Sequence, residues 1–133
     1  MDLQIDDSVK ENLLYIVRSI IAQKLGVTLE KKAVYTDSIL DEKYGAFVTL
    51  HINGNLRGCI GYIVGYGPLR EILCDLALSS AFKDPRFPPL SVQEYSRIDI
   101  EISILSPIEK VVSLDDIVIG KHGLIIRKGH KTG

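Results

Sequence analysis

Residues 46–63 read AFVTLHINGNLRGCIGYI and decide the fold, because they hold two strand-like segments on either side of a turn. Apolar and polar side chains alternate through VTLHI at residues 48–52, and a second strand-like segment runs from Leu56 to Ile63. An Asn-Gly pair between such segments is a strong hairpin signal. The sequence therefore predicts a β-hairpin at this point of the chain.

The length of the turn sets the register of this hairpin. A two-residue turn at 53–54 would place Val48 opposite Cys59 and would mix apolar with polar residues on both faces. A three-residue loop at 53–55 places Val48 opposite Ile60 instead, which gives one clean apolar face. We therefore predict the three-residue loop.

In the predicted register, the polar face of the hairpin carries a thiol and basic groups. Thr49 lies opposite Cys59, and His51 lies opposite Arg57. Arg57 would stand about 7 Å from Cys59 and favour its thiolate, while His51 is the nearest candidate base. We expect Cys59 to act as a nucleophile or thiolate ligand, with Arg57 holding an anionic group. The alternative is that Cys59 is a small packed residue, as free cysteines usually are.

Two glycines and a turn histidine extend the candidate binding site. Gly58 and Gly61 flank the thiol, and their missing side chains leave the sulfur approachable. His122 stands in the glycine-bounded turn GKHG, residues 120–123, from which it can reach a cleft, although a turn histidine is most often solvated.

A stiff loop supplies the remaining candidates. Residues 84–89 read DPRFPP, and three prolines in six positions restrict the backbone strongly. Asp84 and Arg86 either present a binding group from this loop or brace a cleft wall, and we favour bracing. Arg57, instead of holding an anion, could form a structural ion pair with Asp84 or Glu101.

The N-terminal region has the pattern of an amphipathic helix. Ser8 and Glu11 match a capping box, apolar residues follow at helical spacing, and Gly26 is placed to end the helix. The pattern predicts a helix over residues 8–25.

A second helix is predicted from Pro68, a good first helical residue. Its apolar arc includes Cys74 and leaves only a polar wedge near Glu71, Asp75 and Ser79, so this helix should be covered on two sides.

The clearest strand follows Arg97, where isoleucine occupies every second position. Ser91 and Glu94 are placed to cap a short helical turn before it. Beyond it, the sequence predicts a helical turn at 113–117 and a tight connection at 120–123 between two short strands. Because helices and strands are mixed without regular βαβ alternation, we predict an α+β fold with mixed or antiparallel sheets and a few helices.

Composition bounds the class of protein. The chain has 133 residues and a net charge of −1, which fits one domain and makes nucleic-acid binding unlikely. No apolar run is long enough to span a membrane, and neither a leader, a cofactor motif nor a metal-ligand cluster is recognisable. We therefore expect a cytoplasmic protein with reduced cysteines. Eighteen Ile against three Asn and three Gln indicate a thermophilic or archaeal source.

Four motifs in order, LRGCIG at 56–61, DPRFPP at 84–89, EISIL at 101–105 and GKHGL at 120–124, closely resemble the AMMECR domain family, named after a human AMME-syndrome protein. The resemblance implies an α+β domain with a larger and a smaller subdomain, a cleft near the cysteine motif and an unsettled biochemical activity. It also implies association with Memo-like and radical-SAM proteins. Family members continue with a further apolar segment and a closing helix, so we expect residues 1–133 to be a single domain lacking its C-terminal part.

Two classes of function follow. In the first, a cleft at the LRGCIG motif binds or modifies an anionic small molecule or protein group, by thiolate chemistry if the protein is an enzyme. In the second, the domain is a noncatalytic interaction module and the motif is kept for packing. An enzyme needs an activated thiol, whereas a module does not.

Overall fold

The computed structural model of the protein describes residues 6–105 and 123–128. In chain order the elements are α1 (Asp7–Leu25), a 3-10 turn (Ser38–Asp41), β1 (Gly45–Ile52), β2 (Asn55–Tyr62), α2 (Leu69–Phe82), α3 (Val92–Tyr95), β3 (Ile98–Leu105) and β4 (Gly123–Lys128). The helical turn predicted at 113–117 and most of the connection at 120–123, including His122, lie outside the described residues.

The four strands form one sheet in the order β2-β1-β3-β4, with every pair antiparallel. Helices α1 and α2 pack on one face of this sheet, with α2 over β1 and β2 and α1 over β3 and β4. The predicted α+β class is therefore confirmed. Within the described part of the chain, no helix is long and apolar enough to cross a membrane.

The hairpin forms where predicted, but its turn has two residues instead of three. Asn53 and Gly54 have φ angles of 52° and 79°, the positive values that a type I′ turn requires. Val48 nevertheless pairs with Ile60 as predicted, because Arg57 is an extra residue that forms a β-bulge in β2. The bulge allows a two-residue turn and a clean apolar face in the same hairpin.

The bulge also changes the polar face of the hairpin. Thr49 lies opposite Cys59, as predicted, but His51 lies opposite Leu56 and not opposite Arg57. The prediction for His51 was wrong because it assumed a regular ladder, in which each residue of one strand has one partner.

The alternation predicted for β3 is confirmed. Its isoleucines face α1 and α2 and are buried, and the residues between them are half-buried on the other face. They share the core with the apolar sides of the two helices, which include Leu13, Ile16, Ile21, Leu69, Ile72, Leu73 and Leu76.

Helix α1 begins one residue earlier than predicted and with a different cap. Asp6 occupies the N-cap position, so Ser8 and Glu11 both lie inside the helix and do not form the predicted capping box. The C-terminus is as predicted, since Gly26 adopts φ 79° and its N–H bonds back to α1.

Helix α2 is covered on two sides, by the sheet and by α1, as its wide apolar arc predicted. Pro68 is its N-cap and not its first helical residue. Cys74, which the sequence placed in the apolar arc, is exposed. The predicted cap of α3 is present, with Ser91 and Glu94 forming a capping box.

Candidate functional site

Cys59 lies on β2, which is an edge strand of the sheet. Both polar groups of its backbone point away from β1 and are bound by side chains of the 84–89 loop. The Cys59 N–H donates to Asp84 Oδ2 at 3.0 Å, and Arg86 Nη2 donates to the Cys59 carbonyl at 3.3 Å. Asp84 and Arg86, which we call the edge clamp, therefore replace the neighbouring strand that an edge lacks.

The two residues of the edge clamp also bind each other. Both Arg86 Nε and its backbone N–H donate to Asp84 Oδ1 at 3.0 Å, and Nη2 donates to Oδ2 at 2.8 Å. The Asp84 side chain is only 2% exposed, whereas the Arg86 side chain is 55% exposed. The clamp thus has a buried anion and a cation that reaches solvent.

These contacts determine the charge of Asp84. The Arg86 side chain, supported by the N–H groups of Cys59 and Arg86, holds the pKa of the Asp84 carboxyl far below its usual range, against the opposing effect of burial. Asp84 in turn raises the pKa of Arg86. Both groups are charged at neutral pH. The bracing interpretation of the loop agrees with this geometry.

Arg57 is buried and paired with a residue that the sequence analysis did not associate with it. Its Nε and Nη2 donate to the two carboxylate oxygens of Glu94 at 2.8 and 3.0 Å, and Nη2 also donates to the Pro88 carbonyl at 2.7 Å. The structural ion pair of Arg57 is thus formed with Glu94, instead of with Asp84 or Glu101.

These hydrogen bonds use the Nε and Nη2 donors of the Arg57 guanidinium. Its side chain is 8% exposed, and its hydrogen bonds to Glu94 lower the pKa of that carboxyl group to about 2. Nη1 is buried and has no hydrogen-bond partner in the described part of the chain. The Arg57 guanidinium therefore braces α3 against β2, and its burial keeps it from attracting an anion at the surface.

Gly58 and Gly61 make room for packing. A Cβ atom on Gly58 would collide with the Ser80 carbonyl of α2, and one on Gly61 would collide with the Phe47 ring. The space beside these glycines is thus filled by a helix and a ring, and does not serve as the predicted access to the sulfur.

The thiol of Cys59 faces away from α1 and α2 and is half-buried. Its Sγ lies 3.1 Å from Thr49 Oγ1, close enough for a hydrogen bond in either direction. The His51 ring forms no hydrogen bond with Cys59 or Arg57, so the described contacts around the thiol do not include the expected base.

Arg86, and not Arg57, is the partly exposed cation beside Cys59. It binds the Cys59 backbone, and its hydrogen bonds to Asp84 raise its pKa. Both guanidinium groups also form cation–π contacts with the Phe87 ring, whose centroid lies 5.7 Å from Arg57 Cζ and 5.6 Å from Arg86 Cζ.

The structure thus brings Arg57, Gly58, Cys59, Asp84 and Arg86 together at the middle of β2. Sequence reasoning missed two of their partners. Glu94 was recognised only as a cap, and Thr49 only as the residue opposite the thiol. Nothing in the sequence near Arg57 identified Glu94 as its partner, because the two residues are 37 positions apart.

No group of three or more His, Cys, Asp or Glu side chains that could hold a metal ion occurs among the described residues.

The fold and the site define a small α+β domain in which an Asp-Pro-Arg loop forms hydrogen bonds with the backbone of the cysteine-bearing edge strand. The sequence model of the AMMECR1 family matches residues 14–133, so the chain belongs to the AMMECR1 family.

Several relatives of the chain are archaeal proteins. The protein LS215_2104 of Saccharolobus islandicus is 35% identical over 95% of this chain and 60% of its own length. A protein of Methanothermobacter thermautotrophicus is 44% identical over 71% of this chain and 53% of its own length. The crystal structure of the uncharacterized protein PH0010 from Pyrococcus horikoshii superposes with a TM-score of 0.69 and 36% identity, covering 81% of this chain and 58% of that one. The chain therefore spans somewhat more than half the length of these relatives.

Proposed function

We propose that Cys59 is the reactive group of this protein, and that the sheet face around it binds an anionic small molecule or an anionic group of another protein. The observation that carries this proposal is the 3.1 Å contact between Cys59 Sγ and Thr49 Oγ1. In addition, Asp84 and Arg86 hold the backbone of Cys59 in place. A half-buried thiol fixed in this way is preorganised for reaction.

The surrounding groups suit thiolate chemistry. A hydroxyl that donates to sulfur and a nearby guanidinium both stabilise a thiolate, which is the nucleophilic form of cysteine. Because the Arg86 side chain is 55% exposed, it can also attract an anionic substrate, a role for which Arg57 is too buried. The thiol must stay reduced for this chemistry, so the proposal includes a cytoplasmic location.

Alkylation of the folded protein tests the proposal, with the rates at Cys59 and Cys74 read separately by mass spectrometry. At neutral pH, half-buried Cys59 should react at least as fast as exposed Cys74. Iodoacetate is anionic and iodoacetamide is neutral, so the ratio of their rates at Cys59 reports the local positive charge. Arg86→Gln should lower this ratio by roughly threefold to tenfold, whereas exposed Arg97→Gln should leave it unchanged.

Thr49→Val provides a second readout. It should slow alkylation of Cys59 by both reagents, because the thiolate loses a hydrogen-bond donor. If Cys59 is inert compared with Cys74, or if its rates do not respond to Arg86→Gln and Thr49→Val, the nucleophile proposal is wrong.

A noncatalytic interaction module is the second candidate, because three motif residues already have packing roles. Arg57 binds Glu94, Gly58 meets Ser80, and Gly61 meets Phe47. Under this proposal the partners would be Memo-like or radical-SAM proteins. Cys59→Ser would then leave binding to such a partner intact, whereas a catalytic cysteine predicts that any modification of the partner stops.

A further inference from the structure

A second site lies between α1 and α2 and shares no residue with the candidate site at β2. A groove of about 610 Å³ separates the C-terminal half of α1 from the outer side of α2. This volume lies within the range of roughly 300–1,000 Å³ that is usual for small-molecule sites.

The interior of the groove is mainly apolar. Ile20 of α1 and Leu78 of α2 line it with half-buried side chains, and the Tyr35 ring and the Cys74 thiol complete this surface. Tyr35 is 41% exposed, so part of its ring is open to a ligand in the groove. These side chains fit an alkyl or aryl body.

The charged residues of the lining are two cations and one anion, namely Lys24, Arg70 and Glu71. Arg70 is held in place from one side, because Asp41 accepts from its Nε and Nη2 at 3.1 and 2.9 Å and the Tyr35 carbonyl accepts from Nη2 at 3.1 Å. Its Nη1 takes part in none of these bonds. The guanidinium is therefore fixed in orientation while keeping donors for another acceptor.

We infer that this groove binds a small carboxylate with an apolar body. Arg70 and Lys24 bind the carboxylate, and the body lies along Ile20 and Leu78. Asp41 already pairs with Arg70, so the preference for an anionic head comes from the Nη1 donors of Arg70 and from the Lys24 ammonium, which both belong to the lining. This site goes beyond the proposed thiol chemistry and does not depend on it.

Cys74 provides the readout, because a ligand in the groove covers its thiol. The experiment measures the rate of Cys74 alkylation by iodoacetamide at increasing concentrations of octanoate, octanol or octylamine. Octanoate should slow the reaction in a saturable manner, while octanol and octylamine should protect much less at the same concentrations. Cys59 is the internal control and should react at an unchanged rate.

Two variants test the role of the cations. Lys24→Gln and Arg70→Gln should each raise the octanoate concentration for half-protection by roughly tenfold, since each removes a charge-assisted contact. Lys32→Gln, an exposed lysine outside the lining, is the matched control and should have no effect. Arg70→Gln also removes the contacts with Asp41 and the Tyr35 carbonyl and so disturbs the segment that holds these two residues. Lys24 is exposed at the end of α1, so Lys24→Gln tests the role of charge without this effect.

Three outcomes would overturn the inference. They are the absence of protection by octanoate, equal protection by octanol, and protection that survives Lys24→Gln unchanged. A failure of the thiol proposal would instead be seen at Cys59, in the absence of any fatty ligand, so the two results are separable.

Discussion

At the residue scale, Glu94 has two structural roles. Its Oε1 accepts from the Ser91 backbone N–H at 3.1 Å and so closes the capping box of α3. The same carboxylate binds the buried Arg57 guanidinium. One side chain thus links the short helix to the bulge of β2, and its ionisation connects the stability of this region to pH.

The first prediction concerns this ionisation. Arg57 lowers the pKa of Glu94 from 4.5 to about 2, so the ion pair contributes its full stability above the unfolded-state pKa and loses it as the pH falls through about 2. Glu94→Gln should therefore reduce the free energy of unfolding at neutral pH by about 1–3 kcal/mol. Denaturant titrations should show this difference shrinking between about pH 5 and about pH 2.

The control for Glu94→Gln is Glu30→Gln, which removes an exposed carboxylate. It should leave the free energy of unfolding nearly unchanged across the same pH range. A Glu94→Gln difference that does not vary with pH would contradict the assignment of the lowered pKa to this ion pair.

The second prediction concerns Gly58. A Cβ there meets the backbone carbonyl of Ser80, which cannot rotate away, so α2 must shift. Gly58→Ala should lower the free energy of unfolding by about 1–3 kcal/mol, the usual cost of overpacking. At Gly67 the nearest atom is Glu71 Oε1 at 3.5 Å, an ordinary contact, so Gly67→Ala should cost much less. Thermal or chemical unfolding of both variants provides the comparison. Equal losses in the free energy of unfolding would contradict the packing role of Gly58.

At the element scale, β2 is stabilised by a loop where a further strand would otherwise bind. Edge strands expose unpaired N–H and C=O groups that invite pairing with other chains. In β2 the edge clamp of Asp84 and Arg86 binds both groups of Cys59. The stiffness that prolines give the 84–89 loop keeps this pair in place.

The third prediction tests the edge clamp by hydrogen exchange. Asp84→Asn keeps the shape of the side chain but removes its charge, so both the ion pair with Arg86 and the hydrogen bond from Cys59 N–H should weaken. The Cys59 amide should then exchange roughly tenfold to a hundredfold faster, as expected for the loss of a bond to a charged group. Asp41→Asn, which affects the exposed ion pair of Arg70, should leave this amide unchanged. Unchanged exchange in Asp84→Asn would contradict the clamp.

At the scale of the whole molecule, the sheet has two different faces. The face towards α1 and α2 holds the buried isoleucines of β3 and the buried residues Ala46, Val48 and Leu50 of β1. The opposite face holds half-buried side chains, Thr49 and Cys59 among them. The apolar core therefore lies on the face opposite the Cys59 thiol, so changes to the thiol alone should not unfold the protein.

The fourth prediction compares these faces within β3. Ile102 is fully buried, so Ile102→Ala should lower the free energy of unfolding by about 2–5 kcal/mol through lost burial and a residual cavity. Its neighbour Ser103 is half-buried on the other face, and Ser103→Ala should change stability by about 0.5 kcal/mol or less. Similar costs for the two variants in urea unfolding would show that the faces are not energetically distinct.

Much of the fold could be predicted because its signals are local. The alternation of isoleucines predicted β3, and Asn53-Gly54 predicted the hairpin. The error in the turn arose because a bulge has no clear local signature, and Arg57 was counted as a regular ladder residue. Of the candidate site, the sequence identified the residues that meet at the middle of β2, but it assigned the anion-binding charge to Arg57, whose charge is paired with Glu94.

The sequence by itself determined the α+β class, the antiparallel hairpin, the apolar face of β3 and the membership of the family. These properties follow from patterns that span a few residues or from short motifs that resemble those of a known family. Tertiary structure alone decided the partner of Arg57, 37 residues away, and the partner of the Cys59 N–H, 25 residues away. It also decided that Cys74 is exposed and lines a groove. Such pairings depend on which surfaces pack together, and packing is set by the whole core rather than by neighbours in the chain.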